Sequence, residues 1–297
     1  MATLRDIKQR IVSVQSTRQI TRTMEMVATA KIRRAQDRIE NARPYAFALA
    51  DVLGNVVRYV PDLKHPLLEV HAERRRVVYI AIASDRGLAG AFNTNIIRMT
   101  EAALTAEAEA GVETELVTVG KKTLAYFRYR GVEPALALRD MSDKPDFSHA
   151  REIADWLIER YTAGEIDGAY ILFNRFKNVA EQKPEQHQLL PIESSVLQSA
   201  EEAVEERGIN LEYLFEPSAP VVLSDLLPYY LEALVYRGLL ESAASEQGAR
   251  RTAMKSATDN ASEMITTLTR SYNRARQAAI TTEIAEIVGG AAAQEEE

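Results

Sequence analysis

The chain has 297 residues, 46% of them hydrophobic, and 36 Lys and Arg against 43 Asp and Glu give a formal net charge of −7. That is enough apolar material for one large or two ordinary domains, which excludes a disordered chain, and the acidic balance argues against nonspecific nucleic-acid binding by the whole molecule. Cysteine is absent, which removes disulfides, thiolate catalysis and cysteine-ligated metals; the four histidines, His65, His71, His149 and His187, are not paired at helical ligand spacing, so no metal site is expected.

From Leu4 to about Val57 the sequence has a helical period and almost no breakers. Leu4, Ile7, Ile11 and Val14 step by three and four. A register slip near Thr17 is expected, with the pattern resuming through Ile20, Met24 and Val27. A second seam follows at Ala28, Ile32, Ala35, Ile39, Ala42, Ala46, Leu49, Leu53 and Val56, with the spacing of a coiled-coil face. One long helix over residues 1–58 is predicted, bent at Pro44. The opening MATLRDIKQRIVSV continues this amphipathic pattern and reads as neither a signal peptide nor a transit leader. No apolar run approaches the ~20 residues that cross a bilayer, so a soluble chain is expected.

Residues 74–195 have a different texture. VVYIAIAS (77–84), TELVTVG (114–120) and GAYILFNRF (168–176) read as strands, with PEQHQLLPI a weaker one. Helical segments at 94–110, 121–130 and 148–162 separate them. Strand and helix in alternation predict right-handed crossovers and a mainly parallel, Rossmann-like sheet.

A second long helix is predicted over 222–290, with Ser224 or Asp225 as N-cap and Pro228 near its first turn. Met254, Ala257, Ala261, Ile265, Leu268, Tyr272, Ala275 and Ala279 alternate by three and four. At about 1.5 Å per residue this helix runs on the order of 90 Å, too long for the interior of a compact domain. Two such helices with narrow, alanine-rich stripes pack most simply as an antiparallel coiled coil. The expected fold class is α/β: a coiled coil of the N- and C-terminal helices flanking the α/β domain.

SDRGLAGAFN (84–93) lies at the C-terminal end of the first strand, where ligands of such sheets bind. It lacks the third glycine of the dinucleotide fingerprint and the Gly-Lys-Ser/Thr of a P-loop. A structural turn is the preferred reading: Gly87 and Gly90 supply positive φ or close approach, Asp85 and Arg86 tie the turn to a neighbouring helix, and Asn93 caps the next one. A nucleotide-dependent enzyme with its site at the Gly87–Gly90 turn is the alternative. The basic stretch Arg18, Arg22, Lys31, Arg33, Arg34, Arg38 and Arg43 has no interleaved aromatics, which favours a solvated face or an acidic protein partner over nucleic acid. At the far end, Ile284, Ile287 and Val288 form an apolar tip beside Arg276, Gln277, Thr281, Thr282 and Glu283, and an apolar tip on a rod predicts a protein socket.

TRQITRTMEMVATAKIRRAQDRI, SDRGLAGAFNTNI, the long stretch from YLFEPSAPVVLSDLLPYY to MKSATDNA, and YNRARQAAITTEIAEIVGGAAA, in that order, resemble the gamma subunits of F-type ATP synthases. The resemblance implies a noncatalytic central rotor shaft, with no cofactor, that couples ion flow through a membrane c-ring to the conformational cycle of catalytic beta subunits. The implied partners are the alpha and beta subunits, the epsilon subunit and the c-ring, with peripheral association at the cytoplasmic side of a bacterial inner membrane. It implies contacts of Arg22, Met24, Glu25, Arg251, Arg276, Gln277, Thr281 and Glu283 with beta subunits, and of Tyr213, Phe215 and Glu216 with the c-ring and epsilon. Ala89 and Ala91 stand where many relatives have Cys and Gly, so no thiol-dependent behaviour is expected at that turn.

Overall fold

The computed structural model describes residues 3–57, 65–192, 216 and 218–295. It divides into two compact units, Thr29–Arg250 and Met1–Ala28 with Arg251–Glu297.

The larger unit is built on a five-stranded sheet of order β3-β2-β1-β4-β5. β1 (Arg76–Ile82), β2 (Glu113–Val119), β3 (Leu136–Leu138) and β4 (Gly168–Phe176) are parallel where they pair, and β5 (Gln182–Leu190) runs antiparallel to β4. β1 is buried from Val77 to Ile82, as its unbroken RVVYIAI run requires of a central strand covered on both faces. On one face Tyr79, Ile96 and Phe127 bring in α2 (Phe92–Glu109) and α3 (Lys121–Tyr129). On the other, Ile80 and Val117 meet Ile153 and Leu157 of α4 (Phe147–Thr162).

That second face is shared with the two long helices, α1 (Leu4–Val57) and α5 (Ala219–Glu295). Leu223, Leu227, Leu231, Val235 and Leu239 step by four along α5 and join the same core as Leu49, Leu53 and Val56 of α1. A Cβ at Gly238 would stand 2.8 Å from Cδ1 of Ile171, so the helix approaches β4 closely there.

Several expectations are corrected. β3 was not predicted; three residues carry no readable period. The weak strand is the edge strand β5, which explains its polar character and tolerates Pro184. α5 begins at Ala219, before the predicted cap: the Ser218 carbonyl accepts the Val222 N–H at 3.1 Å. Ser224, Asp225 and Pro228 therefore lie inside the helix. Pro220, in the first turn where an N–H would have no helical acceptor, takes the role expected of Pro228. Pro44 lies inside α1, which runs through it as one helix, as expected.

The smaller unit holds the part of α1 up to Ala28 and the part of α5 from Arg251 onward. The two share one seam and run in opposite directions. The predicted slip near Thr17 does not occur. Leu4, Ile7, Ile11 and Val14 are half-buried and Thr21 and Ala28 are buried, so the stripe resumes at Thr21 in the register set from Leu4, with Arg18 between them exposed. Ile20 and Val27, expected on the seam, are 59% and 51% exposed. Keeping the register puts polar side chains into the stripe, and Thr21 is satisfied across it by the Thr258 hydroxyl at 2.7 Å. On α5 the seam runs through Met254, Ala261, Ile265, Leu268, Tyr272 and Ala275; Ala279 is exposed.

Candidate functional site

Two places carry unusual chemistry, one in each unit. In the smaller unit the polar interruption of the seam opens a cleft of about 360 Å³ between the helices. Arg18, Arg22 and Glu25 line it from α1, and Lys255, Thr258, Asp259 and Ser262 from α5. The hydroxyls of Thr258 and Ser262 also back-bond to Met254 O and Thr258 O, both at 2.9 Å, as Ser and Thr inside helices commonly do. Arg22 and Glu25, named from sequence, are brought together here. Arg18, Lys255 and Asp259 were missed as site residues; for Arg18 the signal was a polar residue at each of positions 18, 21 and 25 of the three-four stripe on α1.

Met24 is half-buried and lies outside the cleft lining. Arg251 is half-buried, with its Nε buried and unpartnered among the described residues. Arg276, Gln277, Thr281 and Glu283 are all exposed on α5, where every described residue from Arg276 to Val288 is exposed. Ile284, Ile287 and Val288 are 56%, 67% and 62% exposed, an apolar surface at the end of a polar helix. Glu216 is exposed; Tyr213 and Phe215 lie outside the described residues.

The second place is the turn after β1. Positive φ falls on Leu88 (63°) and Gly90 (56°) and not on Gly87. Asp85 accepts the backbone N–H groups of Lys121 (3.0 Å), Asp140 (3.0 Å) and Ser142 (3.1 Å). Burial raises the Asp85 carboxyl, but these hydrogen bonds outweigh it and hold the group below the usual carboxylate range. Asn93 does not cap α2, whose cap position is Ala91; its side chain accepts from the backbone N–H and the hydroxyl of Ser84, both at 2.9 Å. Arg250 from α5 ties the turn down: its Nη2 donates to the Gly87 carbonyl at 3.1 Å. Among the described residues no group of three or more His, Asp or Glu side chains is arranged to hold a metal. No described helix is long and apolar enough to cross a membrane.

The family model described as ATP synthase matches residues 3–294. The chain is 47% identical over 295 residues to the ATP synthase gamma chain of Desulforamulus reducens, covering 99% of this chain and all of that one. It is 48% identical over 295 residues to the gamma chain of Pelotomaculum thermopropionicum, with the same coverage. In fold it is similar to the central stalk and c-ring structure of the Tetrahymena thermophila mitochondrial ATP synthase, with a TM-score of 0.59, 24% identity, and 80% of this chain and 99% of that chain covered. With the match running from the first helix through the sheet to the end of the second, the chain belongs to the ATP synthase gamma chain family.

Proposed function

We propose that this chain is the noncatalytic rotor shaft of a rotary ATP synthase, turning inside a ring of alpha and beta subunits and driven at its foot by a c-ring with an epsilon subunit. The observation that carries the reading is the end of α5. From Arg276 to Val288 the helix is exposed on all sides and mixes apolar and polar side chains, as a bearing surface requires. A shaft that turns past identical partners acts through contacts that differ with angle, because only differential contact shifts each partner between states. Tight docking at one angle would brake it.

The noncatalytic reading is supported by the turn after β1, which carries neither glycine fingerprint and is tied down by the chain's own Arg250 at the Gly87 carbonyl. The beta-facing roles of Arg22, Met24, Glu25, Arg251, Arg276, Gln277, Thr281 and Glu283, and the c-ring and epsilon role of Glu216, belong to this proposal. So does a peripheral position at the cytoplasmic face of a bacterial plasma membrane.

Co-purification with alpha, beta and epsilon subunits is the expected outcome of a pull-down; a chain that recovers none of them overturns the reading. Met24→Lys places a cation beside the cleft and is expected to lower ATP-driven ion pumping more than assembly, since the new charge meets acidic partner surface at some angles only. Unchanged pumping would remove Met24 from the bearing.

A further inference from the structure

Glu246 and Arg250 lie one helical turn apart on α5 and are 2% and 8% exposed, with Arg250 Nη1 donating to Glu246 Oε1 at 2.6 Å. On a helix surface such a pair stabilises modestly. Here both charges have left water, and desolvation cancels most of the attraction. Burial pushes the Glu246 carboxyl above its ordinary range in spite of Arg250 and a hydrogen bond with Ser142, and Asp143 adds to the rise. Two apolar side chains of similar volume would serve stability as well or better.

What the pair does have is direction. With Nη1 held by Glu246, Arg250 Nη2 is aimed at the Gly87 carbonyl, inside the turn whose other end Asp85 ties to α3 and to residues 140–142. Gln247 donates to Asp143 at 3.0 Å, and Lys31 of α1 pairs with the same carboxylate. Ser245 donates to the Asn174 carbonyl at the end of β4 at 2.8 Å. Apolar burial is non-directional, whereas hydrogen bonds weaken steeply with misalignment, so these polar contacts add a fixed register to the packing.

We propose that the Glu246–Arg250 pair is a torque-bearing clasp, in which Arg250 is the positioning residue that keeps the Ser84–Ala91 turn from slipping along α5 under load. The proposal rests on the rotor reading above. The bulk of the interface between α5 and the sheet is the leucine stripe from Leu223 to Leu239, which holds the helix down. The clasp lies farther along α5, at the turn that follows the central strand β1.

The test uses the assembled ATP synthase in inverted membrane vesicles, comparing ATP hydrolysis with an uncoupler present against ions pumped per ATP without one. In Glu246→Leu/Arg250→Met no buried charge is left unpaired. Unloaded hydrolysis is expected to stay at the parent level while ions pumped per ATP fall, by about the five-fold population change that corresponds to one lost hydrogen bond. Arg250→Lys keeps the ion pair but lacks the planar fork that reaches two acceptors, and an intermediate loss is expected; it decides the matter if the double variant does not assemble. A pumping ratio equal to the parent's in the variant measured makes the pair purely structural and overturns the clasp. Failure of the parent chain itself to assemble or pump would instead overturn the rotor reading.

Discussion

Gly120 shows how much a single position can be constrained by the backbone around it. It has φ 95° and ψ 145°, a conformation close to glycine-only, and a Cβ there would stand 2.3 Å from the Ala83 carbonyl oxygen. The obstacle is backbone and cannot swing aside. Gly120→Ala is expected to cost more than about 2 kcal/mol, well above an ordinary surface change, in denaturant melts of the full chain. Asp85 makes a pH-dependent contribution on the same loops. Its folded-state value is lowered, so the stability it adds is present above the unfolded value near pH ~4 and is lost as pH falls through the folded one. Asp85→Asn is expected to be less stable than the parent at neutral pH, the gap closing in acid; a constant gap would deny Asp85 this role. Both residues were visible in the sequence as a Gly and an Asp near strand ends. Which carbonyl and which N–H groups faced them was not, because those partners lie 36 or more positions away along the chain.

At the scale of elements, the two long helices were legible throughout and their register was not. Ile20, Met24 and Val27 form as good a three-four stripe as Arg18, Thr21 and Glu25, and by hydrophobicity a better one. The structure keeps the register set from Leu4 as far as Ala28 and leaves Ile20 and Val27 in solvent. A slip would rotate the helix and turn Leu4 to Val14 or Ala28 to Ala35 away from the partner. The few polar seam residues are the smaller loss, since Thr21 finds Thr258. The two registers differ in a measurable way. Ile20→Ser and Val27→Ser are expected to change stability by less than about 0.5 kcal/mol, whereas Ala28→Leu, at a site 1% exposed, overpacks the seam at a cost of about 1–3 kcal/mol. Denaturant melts followed by helical circular dichroism check this; the opposite ranking would restore the predicted slip. In the strands, continuous apolar runs marked β1, β2 and β4, the polar edge strand β5 was legible only as a weaker run because one edge face is solvated, and the three-residue β3 escaped because it is too short to carry a period.

For the whole molecule, the apolar core of the larger unit ends at Leu239 on α5. Removing the chain from Glu283 onward takes no side chain from that core. The truncated protein is expected to keep the cooperative melt of its α/β unit, and the assembled enzyme to lose coupling between ATP hydrolysis and ion pumping. A truncation that destroys the melt would mean that the two are not separable, and unchanged pumping would mean that the tip of α5 is no bearing.

Helix and strand periods are local properties, fixed by side chains within a few residues of one another, so the sequence alone determined the two long helices, the parallel strands between them and the motifs of the family. Tertiary structure decided what depends on residues far apart in the chain: which of two neighbouring stripes becomes the seam, where α5 begins, and what approaches the turn Ser84–Asn93. That turn was legible as a glycine-containing loop without a nucleotide fingerprint. That Arg250, 163 residues away, ties down the Gly87 carbonyl follows only from the packing of α5 on the sheet. Spacing along a chain encodes a face, but not what that face will meet.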